Sequence, residues 1–558
     1  MASPLQGIGV SPGVVIGPAH VIRELEHVSR QSGTPEQELA AFDIATEQAA
    51  AELESLASRL RAENHEAEAG ILDAQALMAR DPSLADLVRD QIRKGASAER
   101  AIDAAASHYR DTLLSLGDDY LAARAEDVTD VAQHMQRALG TETPQPEIRR
   151  LSVVVAHNLT PSQTASFDRE LLLGLATQTG GPTSHTAILA RTLGIPAVVG
   201  LGPAAGEIRS GQEVALDGDT GEIALDLDSD ERSRWLERAR AYEREKRRLT
   251  AFRDLPAETT DGRRITMAAN IGSPAEVDAA LENGAEGVGL FRTEFLFAER
   301  DHMPSEDEQV EAYRSVLEAF RHTVVIRTLD VGADKPLPYI ESPDEENPFL
   351  GERGIRYSLR HPDLFRVQLR ALQRASTAGK LAVMFPMVSE VEQIKTARQM
   401  LEDIREEVGG SAQIGIMVEV PAAALAASRL APLVDFFSVG SNDLTQYTLA
   451  VDRVNERIAS LYRPLHPSVL RLISVASEAA HAHGKWIGIC GEMAGDPLAI
   501  PLLIGLGIDE LSMAPSRLPV AKERVRGLTF DACREAAQLS LDYATAADVE
   551  ELLRTTFP

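Results

Sequence analysis

Between residues 35 and 140 the apolar positions recur at helical spacing through a background of Ala, Leu, Glu, Gln and Arg with few glycines, which predicts a block of several antiparallel helices. Within it Ile71, Leu72, Gln75 and Met78 share one helix face, and Asp81-Pro82-Ser83 ends that helix and caps the next. From residue 151 the texture changes to short β-rich runs at 151–156, 171–176 and 195–199, alternating with short helical stretches. Residues 212–225 read as a hairpin turning at Asp217-Gly218-Asp219-Thr220-Gly221. The opening residues 7–22 are also β-like around a Ser11-Pro12-Gly13 turn, so they are expected to join the later sheet and make the helical block an insertion.

Residues 231–248 carry eight basic and four acidic side chains with little apolar surface, the pattern of a solvated connecting helix. Beyond Thr260-Asp261-Gly262, short β-rich runs of four to six residues recur with helical stretches between them, at 265–270, 287–291, 324–328, 381–385, 414–419, 436–440, 486–490 and 510–513. Eight such runs in about 300 residues predict a (β/α)8 barrel, whose chemistry sits at the C-terminal strand ends. The expected fold is therefore multidomain α/β: an α/β domain over 1–22 and 145–230, an inserted helical bundle over 23–144, a linker helix over 231–260, and a barrel over 261–558.

The length of 558 residues suits three or four folded units. With 56 basic and 85 acidic residues the formal charge is −29, which argues against a groove for nucleic-acid phosphates. No run reaches the roughly 18 apolar residues of a membrane-spanning helix. The first residues show no basic leader followed by an apolar core, so a cytoplasmic location is expected. The two cysteines, Cys490 and Cys533, exclude a disulfide framework and fit a reducing compartment.

The ends of the predicted barrel strands collect Asn270, Arg292, Arg327, Glu419, Asn442 with Asp443, and Cys490 with Glu492. Arginines suit a phosphate or carboxylate through bidentate, charge-assisted hydrogen bonds. A Glu and an Asp on adjacent strands suit Mg2+, which takes oxygen ligands and keeps waters and substrate oxygens. Taken singly, a strand-end Arg is more often a surface ion pair and a strand-end carboxylate a helix cap; convergence on one barrel face favours a site for a small anion held by a metal. Cys490 is either a small buried apolar group or, beside Gly491, a proton donor or nucleophile, whereas Cys533 lies in a helical stretch and reads as structural. In the other half, Gly180-Gly181-Pro182-Thr183-Ser184-His185 precedes an apolar helix pattern. That puts an imidazole at a helix N-terminus, where the dipole disfavours its protonation and favours an acquired phosphoryl group.

These motifs together resemble the Enzyme I family of the bacterial phosphoenolpyruvate:sugar phosphotransferase system. The resemblance runs nearly end to end, through Ser11-Pro12-Gly13, 180–191, 289–297, 327–335, 347–351, 417–421, 440–447, Asp452-Arg453 and 488–492. It implies that His185 takes the phosphoryl group on Nε2 from phosphoenolpyruvate and passes it to a histidine of the small carrier HPr. It further implies that Arg292, Arg327, Asn442 and Arg453 bind the substrate, that Glu419 and Asp443 ligate Mg2+, and that Cys490 protonates the departing enolpyruvate. Asp443 thereby also faces the substrate, Arg353 and Arg356 become second-line phosphate ligands, and the barrel is expected to form a homodimer. The helical insert, with Met78, Glu66, Glu68 and Asp81, becomes the expected docking surface for HPr, its acidic charge steering a basic patch on the carrier. Two positions depart from the family pattern: Pro182 replaces a frequent Arg, and Glu352 a frequent aromatic. The related dikinase and synthase need a nucleotide-binding domain for which this chain has neither length nor phosphate loop. The competing reading is a phosphoenolpyruvate-sensing regulatory paralogue without catalysis; the presence of both acceptor and proton donor argues against it.

Overall fold

The computed structural model describes residues 4–22, 33–62, 66–115, 119–140, 148–181, 184–298, 302–332, 337, 339, 345–453, 455 and 457–558; for 66–68, 113–115, 119–126, 185, 188 and 192 it describes the backbone alone. The chain divides into two units, 1–245 and 246–558, at a point inside the charged helix Ser229–Thr250. Along that helix Arg238 lies over the buried Trp235 ring, 4.1 Å from its centroid, and pairs with Asp217 and Glu222.

In the first unit eight strands form one sheet: β1 (Leu5–Gln6), β2 (Ile8–Ser11), β3 (Val14–Ile22), β4 (Ser152–Ala156), β5 (Leu172–Thr177), β6 (Ala197–Val199), β7 (Glu213–Asp217) and β8 (Glu222–Leu225), in the order β1-β8-β7-β3-β4-β5-β6-β2. The opening strands join the later sheet as the sequence predicts, since β3 pairs antiparallel with β7 and parallel with β4. Both faces are covered. Val153 and Val155 belong to one apolar cluster and Val154 to another that includes Leu189 and Ala190 of the helix His185–Leu193, which is why β4 reads as an unbroken apolar run.

Five helices, α1 (Pro35–Ala62), α2 (Glu66–Ala79), α3 (Pro82–Arg93), α4 (Ala98–Ser115) and α5 (Asp119–Ala138), lie between β3 and β4 as an insertion. Their core holds Phe42, Leu53, Leu60, Leu72, Val88, Ile102 and Val131. Asp81 caps α3 by accepting from the Ser83 and Leu84 N–H groups. Asp130 on α5 accepts from the Ser162 hydroxyl at 2.6 Å and from its N–H at 3.2 Å, which ties the bundle to the helix Pro161–Ser166 of the sheet layer.

In the second unit β9 (Thr266–Ile271), β10 (Gly287–Arg292), β11 (Val324–Arg327), β12 (Leu381–Phe385), β13 (Gln413–Val418), β14 (Phe436–Val439), β15 (Trp486–Ile489) and β16 (Glu510–Met513) close a parallel barrel in chain order. All eight runs expected from the sequence are strands. Thr328, Glu419, Gly440 and Cys490 fall one residue beyond them, although the N–H groups of Thr328, Gly440 and Cys490 still reach carbonyls on the neighbouring strand. The barrel interior is filled by Leu290, Val325, Ala382, Met384, Met417 and Phe436. Phe436 stacks on Trp486 at 4.6 Å. At position 415 a Cβ would sit 2.3 Å from the Phe436 ring, so any side chain there would force the ring to move. Among the described residues no helix is long and apolar enough to cross a membrane.

Candidate active site

In the first unit, Ser184 in extended conformation caps the helix that starts at His185, its hydroxyl accepting from the Ala187 N–H at 3.4 Å. Gly180 has φ +107° and gives the preceding loop a turn that a side chain would strain. Pro182 and Thr183 and the His185 side chain lie outside the described residues. Next to it, the Thr186 hydroxyl is buried with no hydrogen-bond partner among the described residues. Of the expected carrier-docking residues, Met78 packs against the bundle core and Asp81 serves as a cap, while the side chains of Glu66 and Glu68 lie outside the described residues.

In the second unit the C-terminal strand ends bring the predicted polar residues to one face. Arg327 ends β11 almost fully buried between two carboxylates, with Nη2 3.0 Å from Glu294 and Nη1 3.0 Å from Asp330. Burial works against this charge, and Glu294, Asp330 and Glu419 outweigh it, so the guanidinium is held charged. Arg292 ends β10 exposed, with no hydrogen-bond or ion-pair partner among the described residues. Desolvation first, and then the neighbouring Arg327 charge, lower its pKa. A cation already crowded by another cation is ready to gain an anion.

Glu419 follows β13 and is fully buried. Its Oε1 accepts from the Met387 N–H at 2.6 Å, a donor presented by a left-handed Met387 backbone at φ +56°. Burial first, then the charges of Asp330 and Asp443, push the Glu419 carboxyl up to about 8. Glu419 Oε2 and Asp443 Oδ1 are buried oxygens without a hydrogen-bond partner among the described residues. Two such oxygens fit a hard divalent cation, which would supply the missing positive charge. Among the described residues there is no cluster of three or more metal-type ligands, so the rest of an Mg2+ shell would come from water and substrate.

Asn442 and Asp443 lie in the first turn of the helix Ser441–Leu449. The Asn442 amide exchanges hydrogen bonds with Glu492, accepting from its N–H at 3.0 Å and donating to its carboxylate at 3.2 Å. Arg453 approaches Asp443 at 4.0 Å and keeps Nη1 buried, with no hydrogen-bond partner among the described residues. Cys490 follows β15 with its thiol 3.6 Å from the Val439 carbonyl oxygen, and burial pushes that thiol up to about 11. Asn270 donates to the Cys490 carbonyl at 2.9 Å and thus braces the loop rather than facing the opening. Cys533 is buried in the helical layer outside the barrel.

Two expected phosphate contacts are turned elsewhere. Arg353 is fully buried and binds Asp330 through Nε and Nη2 at 3.0 and 2.9 Å, while Arg356 donates to the Leu350 and Gly351 carbonyls. Glu352 pairs with Arg360 at 2.8 Å, away from the strand ends. The carboxylates that order the arginines, Glu294 and Asp330, were not singled out from the sequence. Both lie within stretches that carry the family resemblance, 289–297 and 327–335, and Asp330 also stands three residues from Arg327.

Three descriptions of phosphoenolpyruvate-utilising enzymes match the chain: the N-terminal domain over residues 6–124, the mobile domain over 148–221, and the phosphoenolpyruvate-binding domain over 246–530. The phosphoenolpyruvate-protein phosphotransferase of Staphylococcus carnosus is 41% identical over 566 residues, covering 99% of both chains. That of Bacillus subtilis is also 41% identical over 566 residues, again covering 99% of both. With the barrel, the inserted bundle and these matches in agreement, the chain belongs to the phosphoenolpyruvate-utilising enzymes and, among them, to the phosphoenolpyruvate-protein phosphotransferase family.

Proposed function

We propose that the chain transfers the phosphoryl group of phosphoenolpyruvate to Nε2 of its own His185 and then to a histidine of the carrier HPr. In the first step the P–O bond to the enol oxygen breaks as the P–N bond forms, and the leaving enolate takes a proton at its methylene carbon to become pyruvate. Arg292 and Arg327 neutralise the phosphoryl oxygens, with Arg292 the free cation and Arg327 preset by its two carboxylates. Asn442 and Arg453 hold the rest of the substrate, Asn442 by exchanging its Glu492 partner and Arg453 by its unpartnered Nη1. Glu419 and Asp443 would hold Mg2+, with Asp443 at the substrate side; bound there, the ion supplies charge stabilisation and orientation of phosphate and carboxylate oxygens. Cys490 is neutral at physiological pH because of its burial, so its Sγ carries the proton that the enolate carbon needs.

The division of labour follows the domains: residues 1–22 and 145–230 carry the phosphohistidine, 23–144 dock HPr, 231–260 link, and 261–558 bind phosphoenolpyruvate and dimerise. The location is cytoplasmic. The observation that carries the reading is the meeting, among the described residues, of an arginine without a partner, a carboxylate-locked arginine, two carboxylate oxygens lacking partners and a neutral thiol at one end of the barrel. Mixing the protein with phosphoenolpyruvate and Mg2+, without a carrier, should release close to one pyruvate per chain and then stop. Sustained release without a carrier, or none at all, would contradict it.

A further inference from the structure

Asp330 enters the steps above only as one of the two carboxylates that hold Arg327, yet its contacts reach both halves of the barrel site. Its carboxylate receives Nη1 of Arg327 at 3.0 Å and the Nε and Nη2 of Arg353 at 3.0 and 2.9 Å. Its own N–H is fixed by Glu294 at 2.7 Å. The same Arg353 Nη2 lies 3.4 Å from Asp443 Oδ2, a long and weak contact, and Asp443 Oδ1 has no hydrogen-bond partner among the described residues. Arg353 is thus shared unequally between two carboxylates, with the short bidentate bonds on Asp330. The packing behind it is tight: a Cβ on Gly354 would lie 2.9 Å from Met387 and 3.2 Å from Asp330 Oδ1.

A guanidinium beside a metal-binding carboxylate competes with the metal. It offers charge and donors to the same oxygens, and its distance decides how far it succeeds. We propose that Asp330 is a positioning residue for the metal site: by holding Arg353 bidentately it keeps that cation from closing on Asp443, which leaves Asp443 open to a divalent cation. The inference rests on the assignment of Asp443 as a metal ligand. It gives Arg353 a role as a restrained competitor, and it explains a fully buried arginine that has no surface facing the opening.

The test is Mn2+ binding to the full-length protein in the presence of oxalate, read from the electron paramagnetic resonance of free Mn2+ and independent of turnover. Asp443→Asn is the control on the assignment: if it binds Mn2+ as the wild type does, the metal-site reading itself fails. With that control abolishing binding, Asp330→Asn should weaken Mn2+ by about tenfold or more, the range found when partners behind metal ligands are removed. Arg353→Gln should leave Mn2+ affinity at or above the wild-type level, and Asp330→Asn with Arg353→Gln should recover most of the loss. A merely structural Asp330 would give a double variant no better than the single one. An unchanged Asp330→Asn titration, an unrescued double variant, or a weakened Arg353→Gln would overturn the proposal. Should Asp330→Asn not fold, Arg353→Gln alone still decides by the direction of its shift.

Discussion

Replacing Cys490 by Ala separates what the thiol does for the fold from what it does for the reaction. The side chain is 3% exposed, lies among the barrel-interior residues and makes weak polar contacts with the Val439 carbonyl, at 3.6 Å, and with Ser438. Losing one buried group of that size costs about 1 kcal/mol and lowers the melting temperature by roughly 2–4 °C. Losing a positioned general acid costs about 10²- to 10⁴-fold in rate, or about 3–5 kcal/mol of barrier. The chemical effect therefore dominates. With the thiol held at about 11, only about one molecule in a thousand is thiolate at pH 8, against roughly a quarter for an ordinary cysteine. The wild type should accordingly show no alkaline loss through this group until pH 10 or above. The assay is steady-state pyruvate release with carrier present, from pH 7 to 10, beside a thermal melt. The variant should show kcat reduced at least a hundredfold, KM nearly unchanged and a melt close to wild type. Wild-type kcat, or a raised KM with kcat intact, would refute the assignment.

Arg292→Met should raise KM for phosphoenolpyruvate by about 10- to 100-fold, the worth of charge-assisted hydrogen bonds, without changing the melting temperature, because among the described residues Arg292 has no hydrogen-bond or ion-pair partner to abandon. In the barrel interior Phe436→Ala should cost about 3–5 kcal/mol in denaturant unfolding, and Gly415→Ala should also destabilise because its Cβ would meet that ring. Burial pushes the Cys533 thiol up to about 12, so the stability it gives is whole below the ordinary cysteine pKa of about 8.5 and is lost progressively as pH rises toward 12. The stability gap between wild type and Cys533→Ala should therefore shift in favour of the variant between pH 8 and 10; a gap independent of pH would contradict this.

The barrel was legible because parallel strands covered on both sides are short, mostly apolar runs, and because runs of that length recur eight times, although the last, 510–513, alternates Glu510 and Ser512 with apolar Leu511 and Met513. The mouth was legible as residue types: arginines, carboxylates and a thiol following apolar runs. The partners of those residues were not. Arg327 and Arg353 look alike in the sequence, yet one ends a strand between Glu294 and Asp330 while the other is fully buried behind Asp330. Only the fold brings residues 294, 330, 353 and 443 together, so spacing along the chain could not tell a phosphate contact from a cation that restrains or competes. Asn270 misled for the same reason: a strand-end amide can face the opening or brace a neighbouring loop, and here it binds the Cys490 carbonyl.

The central claim is that phosphate passes through His185. The direct measurement is mass spectrometry of the protein after brief exposure to phosphoenolpyruvate and Mg2+, under alkaline conditions that preserve phosphohistidine, with peptides mapped across 180–191. A single phosphoryl group on His185, absent from His185→Ala and lost in mild acid, is the expected result; phosphate on another residue, or undiminished labelling of His185→Ala, would contradict the account.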